Sequence, residues 1–178
     1  MTRIAPREFK EAFLKVIHSA GPEIVALWNS RPAYTTLILK DVFPKIAEEL
    51  GISVWTSNYY YLDSIFYAER DSDHFGPNAT YAKCISIAVE HEHIIDGTAV
   101  EMNKLQLFNS PLKVLITYAY DESQRRDYLN RYTKILRGAD IFDDFATLRR
   151  QLVVFGSLSE QVVTWHFYAY EPTGFQIV

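Results

Sequence analysis

Leu112 to Tyr120 is a nearly continuous apolar run, and it constrains the fold of this 178-residue chain more than any other segment. A strand with one wet face alternates apolar and polar residues; a run without that alternation is buried on both faces. Such a strand needs cover above and below. The sequence offers it in helical patterns. Phe9, Phe13, Val16 and Ile17 recur at helical spacing, predicting a helix from about Pro6 to His18 that Ala20-Gly21-Pro22 breaks. Ile38, Val42 and Ile46 stripe a second pattern from Tyr34 to Leu50, with Pro44 inside it, so a kink or two abutting helices is expected. Thr98-Ala99-Val100-Glu101 has the form of a capping box and opens a helix to about Phe108. Asp121 caps a longer one to Leu136, with Gly138 as its stop.

Between these lie strand signals. Ile52 to Trp55 and Tyr59 to Tyr67 are aromatic and β-branched, with Thr56-Ser57-Asn58 as the turn. Glu69 to Asn78 reads as loop, Tyr81 to Glu92 as the next strand, and Leu152 to Phe155 and Val163 to Tyr170 as two more; Thr147 to Arg150 would finish a short helix. One α/β domain over residues 1–178, a mixed sheet flanked by helices, is the natural packing. A single cysteine, Cys84, leaves no intrachain disulfide and points to a reducing, cytoplasmic setting. No run approaches a membrane span, and no secretory core is present at the N-terminus. The net charge of −4 is the wrong sign for coating nucleic acid, though it leaves room for a local basic groove.

The chemistry concentrates in Ile85-Ser86-Ile87-Ala88-Val89-Glu90-His91-Glu92-His93. Read as a strand, one face carries Cys84, Ser86, Ala88, Glu90 and Glu92, and the other Ile85, Ile87, Val89, His91 and His93. The first is small-sided and ends in acids, leaving space above the sheet; the second is a packing face. Asp63 interrupts its own strand on the face of Tyr61 and Ile65, and a neighbouring placement would let it join Glu90 on one cation. Lys104 falls within roughly 60° of Val100, Leu107 and Phe108 around its helix, the middle of an apolar arc, and so needs an anionic partner. It is expected to approach the Asp63/Glu90/Glu92 cluster.

Leu62-Asp63-Ser64-Ile65-Phe66, Ala88-Val89-Glu90-His91-Glu92, the Glu101-Met102-Asn103-Lys104-Leu105 helix and the Lys113 to Tyr118 strand together resemble the PD-(D/E)XK, restriction-endonuclease-like nuclease superfamily. The likeness in element order runs from the first helices to about Leu136. It implies a mixed sheet flanked by helices and a Mg²⁺-dependent (or Mn²⁺-dependent) nuclease cutting DNA phosphodiester bonds. Asp63, Glu90 and Glu92 would hold the metal, and Asp63, Glu90, Glu92 and Lys104 would form the catalytic set. Glu92 stands where the motif has lysine, and Lys104 is placed to be that lysine relocated to the following helix. Nucleic acid, DNA first, is the implied partner, without a membrane; a homodimer is compatible with the resemblance.

Two other readings stay open. A catalytically degenerate relative would serve as a binding or assembly module, as the acidic net charge and the missing motif lysine suggest. His91 and His93 could instead hold a transition metal. Among the remaining features, Asp71-Ser72-Asp73 could add an oxygen ligand, but loop acids are usually solvated. Arg125, Arg126, Arg131, Lys134 and Arg137 read as the wet face of their helix. Tyr59, Tyr60 and Tyr61 could stack on bases but read first as half-buried strand residues.

Overall fold

The computed structural model describes residues 3–74, 80–140 and 150–178. Its centre is a seven-stranded mixed sheet built from β1 (Ser53–Trp55), β2 (Ser64–Tyr67), β5 (Ile87–His91), β6 (Leu112–Tyr118), β7 (Arg150–Ser159), β8 (Val162–Glu171) and β9 (Gly174–Ile177), in the spatial order β1-β2-β5-β6-β7-β8-β9. β5, β6 and β7 run parallel, and the pairs on either side of them are antiparallel. β3 (Ser72–His74) and β4 (Thr80–Ala82) form a separate two-stranded hairpin between β2 and β5. Leu112 to Thr117 are all buried, as a strand covered on both faces requires.

One face carries Phe66, Ile87, Val89, Val114, Ile116 and Val154 under α1 (Pro6–Ser19), α2 (Gly21–Leu27), α3 (Arg31–Leu37) and α4 (Phe43–Glu49). The other carries Ile65, Ala88, Leu115, Val153 and Phe155 under α5 (Thr98–Gln106) and α6 (Glu122–Ala139). Both faces of β5 are therefore packed. Ser86 and Ala88 are fully buried, so their small side chains let a helix approach and leave no space above the sheet, contrary to the expectation from residue size.

The pattern around Pro44 is two helices, as expected, joined by a π-turn, Ile38–Val42, because Pro44 has no N–H to continue the ladder. Other local expectations are corrected. α2 follows the Ala20-Gly21-Pro22 break directly, with Pro22 in its first turn where a missing N–H costs nothing. The long strand expected from Tyr81 to Glu92 is two strands in two sheets, which removes Cys84 from the acidic face. The supposed loop after Glu69 contains a 3₁₀ turn, Glu69–Asp71, and β3. β9 had no distinct sequence signal. Most of the helix expected at Thr147 to Arg150 lies outside the described residues, and Arg150 itself opens β7.

Tyr59 to Leu62 is a tight turn rather than the start of β2. Tyr59 N–H donates to Leu62 O at 2.9 Å and Leu62 N–H to Tyr59 O at 3.0 Å. Tyr60 and Tyr61 both have positive φ, 49° and 70°. That two-residue geometry normally selects Asn-Gly, and left-handed backbone costs an L-residue roughly 1–2 kcal/mol. At the other end of the chain's helices, α6 starts as expected: Asp121 Oδ1 accepts from Gln124 N–H at 2.8 Å. Among the described residues no helix is long and apolar enough to cross a membrane.

Candidate functional site

β2 and β5 pair antiparallel with Ser64 opposite Val89, so Asp63 and Glu90 come next in register, beside each other on one face. Asp63 lies just before β2. The His91 N–H, past the Ser64 end of β2, donates to Asp63 Oδ2 at 2.8 Å in place of a strand carbonyl. Glu90 ends the buried run of β5 and is 1% exposed. Its carboxyl group lies close enough to that of Asp63 for the two to perturb each other's ionisation.

α5 brings the third element. Lys104 Nζ lies 2.8 Å from Glu90 Oε1, donates to the Tyr61 carbonyl at 2.9 Å, and pairs with Glu101 one helical turn away. The ammonium thus has one carbonyl acceptor and two carboxyl groups against it. Lys104 does reach the acids, but the helical reasoning behind that expectation fails. Val100 and Leu107 are 70% and 80% exposed, and α5 packs through Thr98, Met102 and Leu105. Lys104 sits at the border of the buried face and reaches inward from the wet side.

Glu101 is the site residue that the sequence reading passed over, because Thr98-Ala99-Val100-Glu101 looked like a capping box. Gly97 is the N-cap, Thr98 Oγ1 donates to the Ile95 carbonyl, and Glu101 is left to bind Lys104. The spacing Glu101 to Lys104, three residues apart on a helix, was the signal available. Glu92 is held differently: its Oε1 accepts from Ile94 N–H at 2.7 Å, and its carboxylate carbon lies 3.6 Å from where a Cβ on Gly97 would be. It braces the turn between β5 and α5.

Burial dominates the electrostatics. It pushes Glu90 up to about 9, with the neighbouring Asp63 charge adding and the Lys104 hydrogen bond opposing. Burial also raises Asp63, offset in part by the His91 N–H and by Lys104. Burial pulls Lys104 down, but Glu101 and Glu90 outweigh it and the net shift is upward. Near neutral pH, Glu90 therefore keeps its proton beside the Asp63 carboxylate. Asp63, Glu90 and Glu101 carry three potential negative charges against one on Lys104, so full ionisation leaves an excess of two.

Both histidines lie on the opposite, helix-covered face. His91 Nε2 is 2.7 Å from the Tyr118 hydroxyl, its ring stacks on Tyr34, and burial lowers it to about 3, keeping it neutral. The His91 and His93 rings are 6.2 Å apart and perpendicular, as members of an aromatic cluster with Tyr34 and Tyr118. Among the described residues, no group of three or more His, Cys, Asp or Glu side chains is arranged to enclose a metal ion. Beyond β5, a cleft of about 520 Å³ opens at the carboxyl ends of the parallel strands, lined by Trp28, Arg31, His93, Asp96, Tyr118 and Tyr120 among others. On α6, Arg125 is partly buried and donates to Ser157 Oγ at 3.3 Å, and Arg131 lies over the Tyr128 ring; Arg126, Lys134 and Arg137 are exposed. No protein-family model matches the chain, and no curated protein matches it significantly.

Proposed function

We propose that this chain is a Mg²⁺-dependent nuclease of the restriction-endonuclease-like class, hydrolysing DNA phosphodiester bonds. One observation carries the reading. Asp63 at a strand start, Glu90 at the end of the neighbouring strand and Lys104 on the following helix meet at one point, with Lys104 Nζ 2.8 Å from Glu90 Oε1 and Asp63 fixed by the His91 N–H. The mixed sheet between two helical layers is consistent with that class.

The donor set fits a hard cation. Mg²⁺ is usually held by one or two carboxylates together with water and substrate phosphate, not by a closed protein cage. Asp63 and Glu90 supply such a pair, and the proton that Glu90 keeps marks the place of a missing positive charge. Bound there, Mg²⁺ would polarise the phosphate and lower the pKa of a water molecule. The remaining work belongs to the protein. The His91 N–H fixes the Asp63 carboxylate. Lys104 offsets negative charge growing on the phosphorane as the water oxygen bonds to phosphorus and the bond to the leaving oxygen breaks. To do so it must exchange one of its three acceptors for a phosphate oxygen; Glu101, itself partly exposed, is the least buried carboxylate among them. Glu92 braces the turn that follows β5 and so sets the orientation of the acidic edge.

A second reading has its own support. With Lys104 held inside the protein by Glu90, Glu101 and the Tyr61 carbonyl, the same cluster would serve a non-catalytic binding or assembly module as a polar clasp. Cleavage of single-stranded, duplex and branched DNA in Mg²⁺ or Mn²⁺, by wild type and Glu90→Ala, separates the two. Metal-dependent cutting that Glu90→Ala loses supports the nuclease. Equal background from both proteins leaves the module.

A further inference from the structure

The turn that supplies Lys104 with a carbonyl also exposes two aromatic rings. Tyr60 is 69% exposed and Tyr61 81%, at positions whose left-handed backbone would suit asparagine or glycine better. Packing does not account for them. Tyr59 is the anchored member: its hydroxyl accepts from Ala82 N–H at 3.2 Å, and the Tyr60 ring rests edge-on against it with centroids 4.9 Å apart. The Tyr61 carbonyl accepts from Lys104 Nζ, and two residues later the chain reaches Asp63. The rings are therefore fixed to the same lysine and strand start that form the acidic site.

We propose that Tyr60 and Tyr61 are a base-stacking element for unpaired nucleotides adjoining the phosphate bound at Asp63, Glu90 and Lys104. This deepens the nuclease reading and rests on it: the substrate is single-stranded or locally opened nucleic acid. Inside a duplex the base faces are already covered by their neighbours, whereas unpaired bases stack readily on tyrosine whatever their sequence. A backbone held by mutual hydrogen bonds keeps both rings out of the core and ready, so little freedom is lost on binding.

The test uses the full chain in EDTA and a fluorescent, mixed-sequence DNA strand, with the same strand annealed as a blunt duplex. Tyr60→Ala and Tyr61→Ala should each weaken single-strand binding roughly ten- to a hundredfold and leave duplex binding unchanged. Tyr61→Trp should retain it. Glycine at both positions should raise Tm by relieving the left-handed backbone while abolishing the single-strand preference, a split that a structural role would not produce. Folded alanine variants with unchanged single-strand affinity would overturn the proposal, as would a wild type that prefers the blunt duplex. Mg²⁺-dependent cutting is read in parallel. Cleavage of the single strand that is identical in wild type and both alanine variants keeps the nuclease and removes the stacking element. Tyrosine-dependent binding with no cutting in Mg²⁺ or Mn²⁺ removes the nuclease and keeps a stacking surface.

Discussion

Glu90→Gln should make the metal-free protein more stable, and by an amount that grows with pH. In the folded state Glu90 keeps its proton up to about pH 9, against 4.5 for an ordinary glutamate. The sign follows from proton counts. Between those values the unfolded chain has released the proton and the folded chain still binds it, so rising pH favours unfolding. Each pH unit is worth about 1.4 kcal/mol, giving about 3 kcal/mol at pH 7 and about 6 kcal/mol by pH 9. Glutamine copies the protonated acid: its oxygen can accept from Lys104 and its amide can donate to Asp63. The variant should match wild type near pH 4.5 and exceed it by about 3 kcal/mol at neutral pH. Urea unfolding in EDTA, repeated across this range, reads the difference directly. Mg²⁺ should then stabilise wild type increasingly as pH rises, because it displaces the proton, and should leave Glu90→Gln unaffected. Parallel curves for the two proteins from pH 5 to pH 9 would refute the argument, since they would mean that Glu90 ionises normally in the fold.

His91 sets the acid limb: its folded value of about 3 lies below the usual 6.5, so the unfolded state gains a proton first and stability falls as pH drops from about 6.5 toward 3. These two groups oppose each other between about pH 4.5 and 6.5, so their combined contribution is flat there; His91→Gln should remove most of the acid slope in the same urea series. Glu101→Gln should tighten DNA binding severalfold in EDTA by freeing Lys104 and reducing local negative charge; weaker binding would instead make Glu101 part of the binding set. Gly156→Ala should cost ~1–3 kcal/mol in urea unfolding, because its Cβ would sit 2.9 Å from the Tyr118 and Trp165 rings, and an unchanged midpoint would show that these rings shift freely.

The legible parts of the site were those with a local cause. Glu90 stood out because an acid closes an apolar strand, and Asp63 because it breaks an aromatic one. Lys104 reaches the acids from the border of α5's buried face, not from the apolar arc that its spacing to Val100, Leu107 and Phe108 suggests. Its rotation on the sheet is decided by Thr98, Met102 and Leu105, and residue periodicity over nine positions is too short to fix such an angle. Tyr60 and Tyr61 were misread for a related reason. Aromatic residues favour strands on average, and only the mutual hydrogen bonds of Tyr59 and Leu62 reveal a turn.

By itself the sequence determined a sheet covered on both faces, through Leu112 to Thr117, the helix starting after Asp121, and the acids at the end of an apolar strand. Each follows from alternation, capping or solvation within a few residues. The tertiary structure decided which acids meet, that Glu101 joins them, and that Glu92 turns aside to brace Ile94. Strand register and helix rotation are settled by packing summed over the whole core, and the raised value of Glu90 exists only once that core has closed over it.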